Sequence, residues 1–147
     1  MLKIGITGGM GSGKSTVCRM FASSVVSVYD SDQRAKEMMD SAPALIKQIK
    51  KLFGNKAYRD GSLDRAYVAS RVFTDKSLLH SLNSIVHPAV GLDFEKWSFW
   101  MENDGDEMIV LESAILFESG FDKYVDYVVA VSAPIEMRVA RSVARDG

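Results

Sequence analysis

The sequence carries one cysteine, Cys18, in 147 residues. One thiol cannot close an internal disulfide, and without a second cysteine there is no sulfur set for a zinc cluster, so a secreted, disulfide-stapled scaffold is excluded. Long apolar runs are missing as well. No stretch approaches the ~20 residues a membrane helix needs, and the opening Met-Leu-Lys-Ile-Gly-Ile-Thr-Gly-Gly reaches glycines before a signal-peptide core could form. Charge of one sign is also scarce: 18 Lys and Arg stand against 19 Asp and Glu, a net of −1, with no basic block. Such a chain is not built to hold long nucleic acid. Nor is there an internal repeat, a low-complexity tract or a flexible linker. These absences leave a chain with no membrane or long nucleic-acid partner, expected in a reducing cytoplasm.

What is present fits one folded domain: 47% of residues are hydrophobic and 25% charged. Residues 2–7 alternate apolar and small side chains and run into Gly8, Gly9, Gly11 and Gly13, after which 16–22 take helical spacing with Val17, Met20 and Phe21 expected inward. A second β-branched run, 25–29, ends at Asp30-Ser31-Asp32 and gives way to a helical pattern through 39. The 3.6-residue period then persists over 44–53, 64–73, 77–86 and 90–101. A turn at 104–106 precedes two continuous apolar runs, 108–111 and 125–131, of the kind that form strands covered on both faces. Pro134 opens a last helix, 135–145, with Arg138, Arg141 and Arg145 on one side. Strands alternating with helices predict an α/β fold, three layers α/β/α around a parallel sheet, with a core of 1–32 and 104–147 and an all-helical insertion over about 33–103.

The chemistry is concentrated in Gly8-Gly9-Met10-Gly11-Ser12-Gly13-Lys14-Ser15, which matches G-x-x-x-x-G-K-[ST] in full. Glycines let backbone N–H groups turn inward around a phosphate, and the helix that follows adds its dipole. Gly9 to Gly13, Lys14, Ser15 and Thr16 are therefore candidate ATP contacts, with Lys14 reaching the β- and γ-phosphates and the Ser15 hydroxyl ligating Mg²⁺. A GTPase would add N-K-x-D and D-x-x-G, but Asn55-Lys56 continues Ala57-Tyr58 and no D-x-x-G occurs. The length suits a kinase acting on a small molecule.

Further segments resemble the dephospho-coenzyme A kinase family, within the nucleotide-kinase-like P-loop proteins. Ile4 to Thr16 is similar to its phosphate loop, including Thr7-Gly8-Gly9. Tyr29-Asp-Ser-Asp32 with Arg34-Ala35 resembles its D-x-D and helix. Gly61-Ser-Leu-Asp-Arg65 with Val72-Phe73 resembles its G-x-L-D-R and V-F pattern, His87-Pro88 its H-P pair, and Leu116-Phe-Glu118 its L-L-F-E segment. Where the family commonly has Asp ending the third strand and Pro two residues on, this chain has Glu112 and Ala114. Family members continue several tens of residues past Arg145-Asp-Gly147, so the resemblance implies that the C-terminal part of the family domain lies beyond this chain.

The resemblance implies phosphoryl transfer from ATP to the ribose 3′-hydroxyl of dephospho-CoA, the last step of coenzyme A synthesis. Asp32 would be the general base, with capping of its own helix as the competing role; Asp30 would cap or hold Asp32. Glu112 would join Ser15 at Mg²⁺. Thr7, Asp32, Arg65 and His87 would meet the acceptor, although Arg65 also suits a carboxylate partner or an exposed first turn and His87-Pro88 a helix break. Arg141 would be a lid cation, or part of a solvated face. Phe94, Trp97, Trp100 and Met101 suit core packing better than a ligand pocket. Another small-molecule kinase of this fold, or a nucleotide-binding module without catalysis, remain the alternatives.

Overall fold

The computed structural model describes residues 1–8, 13–22 and 26–131, without the side chains of residues 15, 16, 21 and 22. The expected helix over 135–145 lies outside the described residues. In chain order the elements are β1 (Leu2–Thr7), α1 (Lys14–Ala22), β2 (Ser27–Asp30), α2 (Ser31–Ser41), α3 (Pro43–Phe53), β3 (Tyr58–Arg59), β4 (Ser62–Leu63), α4 (Arg65–Thr74), α5 (Lys76–Asn103), β5 (Met108–Glu112) and β6 (Tyr127–Ala130). By internal contacts they form two compact units, Met1–Asp32 with Phe94–Gly147, and Gln33–Asp93.

In the first unit the four longer strands make one parallel sheet in the order β2-β5-β1-β6. Parallel neighbours need long crossovers, so strands adjacent in space are distant in sequence. β5 fills the position between β1 and β2. Its residues Ile109, Val110 and Leu111 are at most 1% exposed, which explains the unbroken apolar run: a strand covered on both faces has no polar side. One face carries Ile6 and Val110 packed on Cys18 of α1, with Ile4, Val17, Val26, Val28 and Val131 around them. Side chains alternate along a strand, so Tyr29, next to Val28, points to the other face. There its ring lies 5.3 Å from both Phe94 and Trp97 of α5. Helix, sheet and helix are the three expected layers.

α1 turns inward only partly as expected: Val17 packs on the core, Met20 does not, and the side chain of Phe21 lies outside the described residues. Met20 is 66% exposed, and the buried residue is Cys18. An 18-residue helical pattern would have averaged out this ambiguity, but a short helix beside glycines offers only two turns.

The second unit is held by Leu45, Ile49 and Phe53, one stripe of α3 at spacing four, together with Ala57, Leu63 and Val68. It is not wholly helical. Tyr58 pairs with Leu63 and Arg59 with Ser62 in an antiparallel hairpin closed by Asp60-Gly61, both at positive φ (55° and 82°). Asp-Gly with two left-handed residues is the preferred two-residue hairpin turn. Asp64 then caps α4, its carboxylate accepting from the Tyr67 N–H at 3.1 Å.

α5 also departs from expectation. Instead of two helices separated at His87-Pro88, one 28-residue helix runs through Pro88. Val86 and Val90, buried on either side of the proline at spacing four, keep the apolar stripe continuous. The boundary between the units accordingly falls inside α5, at Phe94, rather than at the turn over 104–106. No helix among the described residues is long and apolar enough to cross a membrane.

The sheet leaves no room beside Gly5. A Cβ there would lie 3.1 Å from side-chain carbons of Leu116 and Val125. Gly5→Val is expected to destabilise the fold by about 1–3 kcal/mol through overpacking, seen as a lower urea midpoint; an unchanged midpoint would refute the tight packing inferred for β1.

Candidate active site

The crossovers leaving β1 and β5 run in opposite directions across the sheet: β1 leads to β2 on one edge, β5 to β6 on the other. Adjacent parallel strands with diverging connections open a crevice at their C-terminal ends, where α/β folds bind ligands. Lys14 follows β1 and Glu112 ends β5.

The carbonyl of Gly13, a residue at φ 96°, accepts the Val17 N–H at 3.0 Å, so α1 starts immediately after the glycines. Lys14 is its first residue. Its Nζ donates to Glu112 Oε1 at 2.9 Å, with the two side chains only 12% and 10% exposed. One helical turn on, the Cys18 thiol donates to the Glu112 carboxylate; burial and the negative charge of Glu112 push its pKa from 9.0 up to about 12, against a smaller lowering by Lys14.

The backbone of Glu112 is held too. It pairs in register with Ile6 on one side and Asp30 on the other, and its carbonyl accepts the Ser31 hydroxyl at 2.7 Å. Ser31 is 2% exposed. It sits between Asp30, which ends β2, and Asp32, half-buried in the first turn of α2. The structure thus brings Lys14, Glu112, Asp30 and Asp32 to the C-terminal edge of one sheet. Thr7 shares that edge: it is 9% exposed and its carbonyl accepts the Val131 N–H at 2.8 Å.

Arg65 and His87 belong to the second unit. Arg65 donates to Asp40 Oδ1 at 3.4 Å and to the Lys36 carbonyl at 3.3 Å. The Leu63 N–H, bonded to Asp40 at 2.9 Å, and the Arg65 guanidinium hold the Asp40 carboxyl below the usual range. Arg65 is therefore a structural tie of α4 to α2, through the carboxylate pairing that an arginine there also allows. His87 is half-buried in α5 and burial lowers its pKa below 6.5, leaving it neutral at pH 7. Gly9, Met10, Gly11, Ser12 and Arg141, and the side chains of Ser15 and Thr16, lie outside the described residues.

Phe94 is 1% exposed against Tyr29, as a core residue should be, whereas Trp100 is 63% exposed. Among the described residues no group of three or more His, Cys, Asp or Glu side chains could hold a metal by itself. Two site elements went unread in the sequence, the Ser31 hydroxyl and the Cys18 thiol. Ser31 could have been suspected, because an inward polar residue at a strand-to-helix junction needs a partner. Nothing distinguished Cys18 from an ordinary small core residue.

The profile of the dephospho-CoA kinase family matches residues 2–147. A dephospho-CoA kinase from Porphyromonas gingivalis is 44% identical over 147 residues, 100% of this chain and 71% of the relative. That from Chlorobaculum tepidum is 40% identical, across 98% of this chain and 72% of the relative. A crystal structure from Thermus thermophilus superposes with a TM-score of 0.80 at 35% identity, covering 99% of this chain and 73% of that one. The fold is also that of a Campylobacter jejuni dephospho-CoA kinase, with a TM-score of 0.61 at 14% identity.

The protonated state of Cys18 has a measurable consequence. Thiolate is the alkylated form, so a pKa near 12 instead of 9.0 makes Cys18 react with iodoacetamide about a thousandfold more slowly at pH 8 in the native chain than in urea. Equal labelling in both states would show that the thiol is not bonded to Glu112.

Proposed function

The chain belongs to the dephospho-CoA kinase family, and from that premise we propose how its residues divide the work of the reaction. The enzyme transfers the γ-phosphoryl group of ATP to the ribose 3′-hydroxyl of dephospho-CoA, giving coenzyme A and ADP. A phosphorus–oxygen bond forms at the acceptor, the bond to ADP breaks, and the hydroxyl proton must leave. Such transfers depend on positioning and charge neutralisation rather than covalent assistance.

The observation that carries the assignment is the Lys14–Glu112 contact at 2.9 Å, directly after the glycine loop and at the sheet's C-terminal edge. An ammonium has three donors, so its bond to Glu112 leaves two for the β- and γ-phosphate oxygens of ATP. By their motif, Gly9, Met10, Gly11, Ser12 and Gly13 would offer backbone N–H groups to the same phosphates, with Ser15 and Thr16 following at the start of α1.

The donor set also fits Mg²⁺. This ion takes hard oxygen ligands, commonly one or two from protein with the rest from phosphate and water, so a three-ligand protein cluster is not required. A carboxylate has about four acceptor positions, and the bond from Lys14 does not exhaust those of Glu112. Ser15 and Glu112 would hold the ion, which when bound neutralises charge on the β- and γ-phosphates.

Asp32 acts as the general base and takes the proton of the 3′-hydroxyl. Its place in the first turn of α2, at the C-terminal edge of the sheet that would hold the donor phosphates, supports this. Thr7 lies on that edge and faces the substrates. The acceptor is held by the insertion, Gln33–Asp93, through Arg65 and His87. Arg65 uses part of its five-donor fork on Asp40 and Lys36 and keeps donors for a phosphate. Neutral His87 serves as a hydrogen-bonding group. Arg141 supplies a lid cation to the transferring phosphate. Use of ATP and the absence of a disulfide framework support a cytoplasmic setting.

Incubation with Mg·ATP and dephospho-CoA, followed by mass spectrometry, tests the reading: the acceptor gains one phosphoryl group. Asp32→Asn should lower kcat by about 10²–10⁴-fold with ATP affinity almost intact, whereas Lys14→Ala should weaken ATP binding and turnover together. Normal turnover by Asp32→Asn would remove Asp32 as the base.

A further inference from the structure

The first unit is connected to the second at two places in the chain, between residues 32 and 33 and between 93 and 94. Neither is a loop. The first lies in α2 and the second in α5, helices of 11 and 28 residues. Immediately on the insertion side of both, one ion pair joins the two helices. Arg34 Nε donates to Asp93 Oδ2 at 2.8 Å and Arg34 Nη2 to Asp93 Oδ1 at 3.1 Å, a contact between residues 59 apart. Arg34 Nη1 also donates to Glu37 Oε2 at 3.2 Å, one turn along α2.

The geometry matters more than the charge. The side chains are 41% and 23% exposed, and a pair so open to water contributes little to global stability. A two-bond fork nevertheless defines a direction, because both N–H groups and both carboxylate oxygens must lie nearly in one plane. It fixes the rotation of α2 about its own axis relative to α5. Asp32 is two residues before Arg34 on that helix, so the rotation of α2 determines where its carboxylate points. Ser31, bonded to Glu112, restrains the other side of Asp32.

We propose that Arg34 and Asp93 are a positioning pair for phosphoryl transfer: the fork between α2 and α5 sets the orientation of the Asp32 carboxylate toward the acceptor hydroxyl. Neither residue touches the reacting atoms. The proposal rests on the reading of Asp32 as the base, and the experiment separates the two.

Steady-state kinetics are measured for Arg34→Met and Asp93→Asn, each in the wild-type chain and in Asp32→Asn, with circular dichroism melting as a check of folding. In the wild-type background kcat should fall about tenfold, as expected for a small misplacement of a reacting group, while KM for ATP stays within about twofold. In Asp32→Asn the same substitutions should change the residual turnover less than about twofold, the range of independent sites. The exchanged pair Arg34→Asp with Asp93→Arg should recover part of kcat. Should Arg34→Met fail to fold, Arg34→Lys keeps the charge without the fork and should still lower kcat. Equal losses in both backgrounds, or no loss in either, overturn the proposal while leaving Asp32 as the base. Undiminished turnover by Asp32→Asn overturns the base reading, and the positioning role with it.

Discussion

Parallel register at the C-terminal ends of three strands is the constraint from which the site follows. Glu112 stands level with Ile6 on β1 and with Asp30 on β2. Because side chains alternate with a period of two, Glu112 shares the face of Val110, the face on which Cys18 of α1 packs. A slip of β5 by one residue would turn Glu112 to the opposite face, away from Lys14, and would bring Leu111 under α1 in its place. The buried run Ile109 to Leu111 cannot enforce a register alone, since all three residues are equally apolar. The enforcing contacts are polar and lie at the strand's end: the Ser113 N–H on the Ile6 carbonyl and the Ser31 hydroxyl on the Glu112 carbonyl.

A nearly buried Lys–Glu pair is a poor device for stability. Desolvating both ions offsets much of their attraction, and comparable apolar packing often does as well, whereas removing one partner strands a charge at a cost of about 3–5 kcal/mol. Lys14 and Glu112 are thus best understood through what they are placed to do. In the proposed mechanism the lysine is held extended toward the phosphates by a carboxylate that also serves the metal ion. Cys18 supports this arrangement from below as a small apolar side chain with one weak donor, and its raised pKa keeps it in the donating form.

The parts of this architecture legible in the sequence are those governed by local periodicity or by a fixed spacing. The strands over 2–7 and 108–111 and the helix before the hairpin all repeat a short rule many times. What was not legible depends on single residues or distant partners. Asp60-Gly61 was a readable hairpin turn, but strands of two residues give alternation nothing to register. His87-Pro88 looks like a break because proline lacks an N–H, yet burial of Val86 and Val90 keeps α5 continuous. Arg65 has the composition of a substrate contact and is engaged by Asp40 and Lys36. The pairing of Lys14 with Glu112, 98 residues apart, follows from no local spacing, and the family resemblance implies only a metal role for Glu112.

In the proposed mechanism the ties within the insertion limit the charge that Arg65 and His87 would contribute to the acceptor. His87 is neutral at pH 7 because burial disfavours its cation. Asp40, held ionised by the Leu63 N–H and by Arg65, places a negative charge beside the guanidinium. That charge orients Arg65 and at the same time reduces the net positive field it can offer an anion. Arg34 is likewise flanked by Asp93 and Glu37. In the proposed mechanism Arg65 and His87 would therefore meet the acceptor through directed hydrogen bonds. Such recognition distinguishes molecules by the placement of their polar groups, and a kinase that modifies one hydroxyl among several on its acceptor requires that kind of selectivity.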